Sequence, residues 1–310
     1  MSSEIVTGDA GATSVGGNAR LAHTFAACAR AGRKALVVYL TYGDPHPAAS
    51  VELMVAAAEA GADVIELGVP FSDPSADGPS IAAAMERALA QGAGLPGALR
   101  CVAEARARGC LVPIVLFGYY NPIVVTGVPT FAAACATAGV DAVLTVDVPV
   151  DELAELAVPL AQHGVGVVPL LAPTSTPARV DAAAAFRPGF IYYISLTGVT
   201  GARTGALGDH SARAARVAAL RAQAGVPIAV GFGVRSAADA RAVAAYADAV
   251  VVGSAIVERV AAAVQDGGGA RCATELNASA ADRVRDSASQ TAAAVQAIAA
   301  LVRELRAALN

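Results

Sequence analysis

The feature that most limits the architecture of this chain is an alternation. Eight short, largely apolar runs are separated by Ala-rich stretches of helical character: LVVYLT (36–41), DVIELG (63–68), PIVLFGY (113–119), DAVLTVD (141–147), VGVVPLL (165–171), FIYYIS (190–195), PIAVGF (227–232) and DAVVVG (248–253). Runs this continuously apolar belong to strands buried on both faces, and strands joined through helices pair in parallel. Eight such units in a chain of 310 residues predict an α/β fold, a closed (β/α)8 TIM barrel with extra terminal helices. A doubly wound open sheet is the rival arrangement and ranks second.

The ends of the chain depart from the alternation. Residues 1–17 are small and polar without an apolar period, which predicts a disordered tail; residues 18–310 then form a single barrel domain. A Gly-rich insertion at about 264–282 interrupts the pattern. Beyond it Val295, Ile298, Val302, Leu305 and Leu309 recur at helical spacing, predicting a closing helix over about 283–309.

Composition narrows the function classes. A mean hydropathy of +0.54 comes from scattered Ala and Val, in segments far shorter than the ~20 apolar residues that a bilayer crossing requires. No basic-then-apolar leader opens the sequence, so a cytoplasmic location is expected. The net charge of −4 lacks a basic stripe, which argues against nucleic acid. The 5 cysteines have no CxxC spacing and the 4 histidines stand far apart, so neither a disulfide frame nor a metal site is expected. Lys34 is the only lysine and precedes the first strand, at the wrong end of a barrel for imine chemistry.

Barrel enzymes build their sites at the carboxyl ends of the strands. There Glu66 interrupts an otherwise apolar strand and shares a face with Val64, because strand side chains alternate. A carboxylate aimed into a barrel has to be solvated, paired or used, and no predicted strand offers an inward basic partner. Burial would raise its pKa into the range where it can both give and take a proton. The following loop, VPFSDPSADGPS, adds Asp73 and Asp77 among prolines and glycines; each fits a turn or a binding role equally well. GVTG (198–201), GFG (231–233) and GS (253–254) follow the last three strands. Glycine-exposed amides and a helix start in that order suit a phosphate cradle, although glycine also simply permits turns. Nine of the 14 Tyr and Phe residues lie near strand ends on that face: Tyr39, Tyr42, Phe71, Phe117, Tyr119, Tyr120, Tyr192, Tyr193 and Phe232. They suggest a flat apolar substrate portion. Asp63, Asp141 and Asp248 each stand at a strand entry and read as structural.

These residues also carry a resemblance. GADVIELGVPFSDPSADGPSI (61–81) closely resembles the signature block of the tryptophan synthase alpha chain family. YLTYGDP (39–45), YYNP (119–122), VDVPV (146–150), GVTGAR (198–203), GFGVRS (231–236) and VGSAIV (252–257) follow in the family order, so the similarity spans roughly residues 20–262. The resemblance implies a barrel that cleaves indole-3-glycerol phosphate to indole and glyceraldehyde 3-phosphate without a cofactor of its own. It also implies passage of the indole to a pyridoxal-phosphate beta chain, usually in an α2β2 complex. By the same resemblance Glu66 is the general acid/base and Asp77 accepts the indole N–H. Tyr39, Ile81, Phe117, Leu144 and Tyr192 match pocket positions, and Thr200 matches the residue that closes the site over Asp77. Gly201, Gly233, Gly253 and Ser254 match the phosphate cradle, and Pro70, Asp73 and Asn121 match positions facing the beta chain. Ser75 and Ala82 depart from the family's usual bulky apolar residue and glutamine, beside the loop that communicates with the partner. A free-standing lyase and a non-catalytic, regulatory alpha-like subunit are the alternatives; retention of both acids argues against the second.

Overall fold

The computed structural model describes residues 17–194, 210–231, 233–267 and 280–310. Its strands are β1 (Ala35–Thr41), β2 (Val64–Gly68), β3 (Ile114–Gly118), β4 (Ala142–Thr145), β5 (Gly166–Val167), β6 (Leu170–Leu171), β7 (Ile191–Ile194), β8 (Ile228–Gly231) and β9 (Ala249–Val252). All pair in parallel, in the order β5-β4-β3-β2-β1-β9-β8-β7-β6. The two ends of that order, β5 and β6, are halves of the predicted run 165–171. Val168 N donates to Val143 O on one side (2.9 Å) and Pro169 O accepts from Tyr192 N on the other (3.0 Å). Pro169 has no N–H to give, which breaks the ladder inside the run. One stave therefore closes the sheet, and the barrel has eight staves as the alternation predicts.

Twelve helices are described: α1 (Gly17–Arg30), α2 (Ala49–Glu59), α3 (Pro79–Ala90), α4 (Leu95–Ala107), α5 (Tyr120–Thr126), α6 (Val128–Ala138), α7 (Ala154–Gln162), α8 (Pro177–Ala185), α9 (His210–Ala224), α10 (Ala237–Ala244), α11 (Ser254–Gly267) and α12 (Ala280–Ala308). Among the described residues no single helix is long and apolar enough to cross a membrane. The outer core lies between helices and sheet, and alternate strand residues point into the bore. At the amino-terminal end the inward positions are small: Ala35, Ala142, Ala229 and Ala249. They leave room for α1, whose Leu21, Phe25 and Cys28 plug the bore, with Phe25 stacked on Phe190 at 5.1 Å. Among the described residues the bore is thus filled at its amino-terminal end.

The predicted closing helix is present as α12, with Ile298, Val302, Leu305 and Leu309 buried and Val295 packed beside them; it lies on α2 and α11. The Gly-rich insertion is shorter than the 264–282 expected. Helix α11 runs on to Gly267 because Ala261–Gln265 are good helix formers, and α12 already begins at Ala280. Residues 268–279 lie outside the described residues, as do residues 1–16 of the predicted tail; Gly17 opens α1.

The three strand-entry aspartates share one device. Each accepts a backbone N–H at the start of a neighbouring strand: Leu36 N to Asp63 (2.8 Å), Ile114 N to Asp141 (2.7 Å) and Ile228 N to Asp248 (2.9 Å). Each also holds one or two arginines: Arg33 and Arg306 on Asp63, Arg20 and Arg106 on Asp141, Arg221 on Asp248. The structural reading of these acids is the one observed. Asp141 is wholly buried, and removing one member of a buried ion-paired group leaves the others uncompensated. Asp141→Ala is therefore expected to cost about 3–5 kcal/mol of stability. Urea unfolding measures that loss, and a change under ~0.5 kcal/mol, the scale of a plain surface substitution, would contradict it.

Candidate active site

The carboxyl-terminal mouth is built by the inward residues nearest the strand ends. Glu66 stands on β2 beside its register partners Tyr39 on β1 and Val115 on β3. It is 1 % exposed, and its Oε1 has no hydrogen-bond partner. Burial alone pushes its carboxyl up to about 8, so it is protonated at neutral pH. The carboxylate predicted to point inward does so, without an arginine to meet it among the described residues.

Asp77 approaches from the β2–α3 loop, half-buried. It accepts a hydrogen bond from the Tyr119 hydroxyl at 2.6 Å, and that hydroxyl accepts from Ala76 N at 3.0 Å. Burial raises the Asp77 pKa, and the bond from Tyr119 pulls against the rise. Tyr119 is itself stacked on Phe71 at 4.8 Å, which ties the loop to the end of β3. Two acids, Glu66 holding its proton by burial and Asp77 accepting a hydrogen bond from Tyr119, are thus brought to one apolar mouth from a strand and a loop.

The wall is made by Tyr39, Ala84 and Val257 with Ile81 and Phe117 against them; Tyr39 and Phe117 meet edge to face at 5.3 Å. Leu144 is fully buried beside Phe117 on the next stave, and Tyr192 projects inward from β7. Two glycines make room for the phenols. A Cβ on Gly68 would stand 2.1 Å from the Tyr39 hydroxyl oxygen, and one on Gly231 would stand 2.0 Å from that of Tyr192. The aromatic residues are less concentrated in the pocket than the sequence suggests. Tyr42, in the turn after β1, and Tyr193, on β7, belong to the core between sheet and helices.

Helix α11 opens at Ser254, directly after Gly253 at the end of β9, so its unpaired first-turn N–H groups and positive dipole end face the mouth. Gly233, at φ +76°, is exposed at the end of β8. Thr200, Gly201 and Phe232 lie outside the described residues. Of the residues matched to a partner-facing role, Asn121 is exposed on α5 and Asp73 is exposed on the loop, where its carboxylate accepts from Ser72 Oγ and its carbonyl from Ser75 N. Pro70 is buried in this chain, because the backbone is still leaving β2 there.

Sequence reasoning missed Gly68, Ala84 and Val257 as parts of the site; it had Tyr119 only as a ring near the substrate and Gly231 only as part of the GFG turn. Period-two alternation from Glu66 and Ala229 would have found the two glycines, but nothing in the spacing links Tyr119 to Asp77.

An acid held protonated inside a barrel mouth is suited to proton transfer, and the class it defines is a (β/α)8-barrel acid–base enzyme. The sequence profile of the tryptophan synthase alpha chain family matches residues 25–295. The chain belongs to that family. It is 51% identical over 257 residues to the tryptophan synthase alpha chain of Burkholderia mallei, covering 83% of this chain and 92% of that one. With the alpha chain of Chromobacterium violaceum it shares 51% over 247 residues, 80% of this chain and 92% of the other. The crystal structure of tryptophan synthase subunit alpha from Legionella pneumophila superposes with a TM-score of 0.79 at 31% identity, covering 93% of this chain and 97% of that one.

Two outcomes follow from the geometry. Gly231→Ala drives a methyl group into the Tyr192 hydroxyl, and displacement of the ring should lower turnover by about 10²-fold. Unchanged steady-state kinetics would refute that packing. Glu66 also taxes the fold. In the unfolded chain it ionises in the ordinary carboxylate range, so from there up to about pH 8 the folded state holds the extra proton and stability falls as pH rises. Glu66→Gln should therefore stabilise the protein more at pH 8 than at pH 5, by on the order of a few kcal/mol. Thermal melts at the two pH values test it, and a pH-independent difference would count against a buried, uncompensated acid.

Proposed function

We propose that this chain cleaves indole-3-glycerol phosphate to indole and glyceraldehyde 3-phosphate with Glu66 as the single acid and base. The observation that carries the reading is the buried, unpartnered Glu66 carboxyl with its pKa near 8. Protonated Glu66 gives its proton to indole C3, which turns the ring into an iminium-like electron sink. Glu66, now a carboxylate, takes the proton from the hydroxyl on the glycerol carbon attached to the ring. The O–H electrons form the aldehyde C=O, the carbon–carbon bond breaks, and its electrons return to the ring. One proton is lent and one recovered, and no cofactor takes part.

Asp77 accepts the indole N–H and stabilises the positive charge that protonation places on the ring. The Tyr119 hydrogen bond orients Asp77 for this and lowers the cost of keeping it ionised. Tyr39, Ile81, Phe117, Leu144 and Tyr192 enclose the indole, and Thr200 closes the loop over Asp77. Gly201, Gly233, Gly253 and Ser254 bind the phosphate through backbone amides, with the start of α11 supplying the positive end of a helix dipole.

Membership of the family implies a tryptophan synthase beta chain as partner. The finer reading is an α2β2 complex in the cytoplasm, with pyridoxal phosphate in the beta chain, to which the indole passes for L-tryptophan synthesis. Asp73 and Asn121 are exposed beside the mouth and suit the facing surface. Ser75, exposed on the same loop, puts a small polar side chain where the family's bulky one would meet the partner.

Glu66→Gln is expected to lower indole release from indole-3-glycerol phosphate by about 10²–10⁴-fold with the pocket intact. In the wild type, kcat/KM should fall above an apparent pKa of about 8, as the proton that starts the reaction is lost. A variant with the wild-type rate, or a profile flat from pH 6 to 9.5, would refute the assignment.

A further inference from the structure

Tyr39 carries a buried hydroxyl that the barrel holds only by one long contact. The residue is 2 % exposed, and its oxygen rests over Gly68, one rung above Glu66, since Thr41 pairs with Gly68 across β1 and β2. Its one side-chain contact among the described residues is with Thr41 Oγ1, at 3.4 Å, longer than an ordinary O–H···O bond. A buried hydroxyl held this loosely is free to turn to a closer acceptor on a ligand.

Its place in the sheet says which part of a ligand that would be. Strand β1 lies between β2, which carries Glu66, and β9, which runs into Gly253 and the start of α11. Glu66 is the register partner of Tyr39, and a Cβ on Gly253 would stand 3.5 Å from Tyr39 Cβ. On the reading above, the substrate has its reacting ring carbon at Glu66 and its phosphate at Gly253–Ser254. Its three-carbon glycerol portion then has to cross β1, beside Tyr39.

We propose that Tyr39 is a further catalytic residue, whose hydroxyl donates a hydrogen bond to the glycerol oxygen that surrenders its proton to Glu66. That oxygen gathers negative charge as its proton leaves and before the C=O is complete, so a fixed donor there stabilises the transition state more than the bound substrate. Burial, with Asp77 and Glu66 nearby, holds the phenol well above its ordinary pKa, so it stays a donor throughout the reaction. The inference rests on the lyase reading and adds to it a group that contacts the part of the substrate that reacts.

The test uses Tyr39→Phe in the full-length chain with a tryptophan synthase beta chain present. The change keeps the ring against Phe117 and removes only the hydroxyl. Two quantities are measured: kcat/KM for indole-3-glycerol phosphate, and the dissociation constant of 3-(indol-3-yl)propyl phosphate, which has the ring and the phosphate but neither glycerol hydroxyl. The expected result is a fall of about 10- to 100-fold in kcat/KM, mostly in kcat, with analogue affinity within about two-fold of wild type. An unchanged kcat/KM overturns the inference, and so does an equal loss for the analogue, which would mean that the phenol serves packing alone. Glu66→Gln run in parallel separates the two layers. If it is inactive while Tyr39→Phe matches wild type, only the role of Tyr39 fails; if it retains the wild-type rate, the lyase reading fails and the Tyr39 role falls with it.

Discussion

Keeping Glu66 inside the bore without a counter-charge costs free energy that the closed sheet around it has to offset. A carboxyl in this position on an open sheet edge would rotate to water. Here neighbouring staves stand on both sides of β2, Tyr39 and Val115 flank the residue in register, and the bore below is filled by α1. The acid therefore escapes charge by keeping its proton rather than by moving. Its proton-donating character is a consequence of barrel closure, and closure in turn depends on the single stave at 165–171 that pairs with β4 and β7.

The two ends of the barrel divide the work. At the amino-terminal end Asp63, Asp141 and Asp248 are each ion-paired and hydrogen-bonded to a backbone N–H of the preceding stave, so charge there holds strands in register. At the carboxyl end Glu66 is buried without an arginine among the described residues, and glycines alternate with bulky inward side chains. Gly68 and Gly231 give up side chains so that two phenols can lie across the strand ends. The same residue type, an aspartate or a glycine, serves stability at one face and chemistry at the other because its partners differ.

Much of this was legible in the sequence. The eight staves fall where the apolar runs predict, each within two residues, because strands buried on both faces leave an uninterrupted apolar signature. Glu66 was visible for the complementary reason, as one charge inside such a run. The strand-entry aspartates were recognisable from their repeated position. Less visible were the Pro169 break, which matters only once two neighbours compete for the same stave, and the true span of the Gly-rich insertion, which helix formers on both flanks shorten.

By itself the sequence determined the count and direction of the strands, the face on which each inward residue lies, and the presence of an acid that the fold would have to tolerate. Those properties are local, set by period-two alternation and by the lengths of the helices between strands. Only the tertiary structure decided that Tyr119, 42 residues further on, would hold Asp77, that Pro70 would be buried, and that Tyr39 would stand between the acid and the start of α11. Contacts of that kind depend on which staves become neighbours when the sheet curls shut. No window of sequence contains that closure.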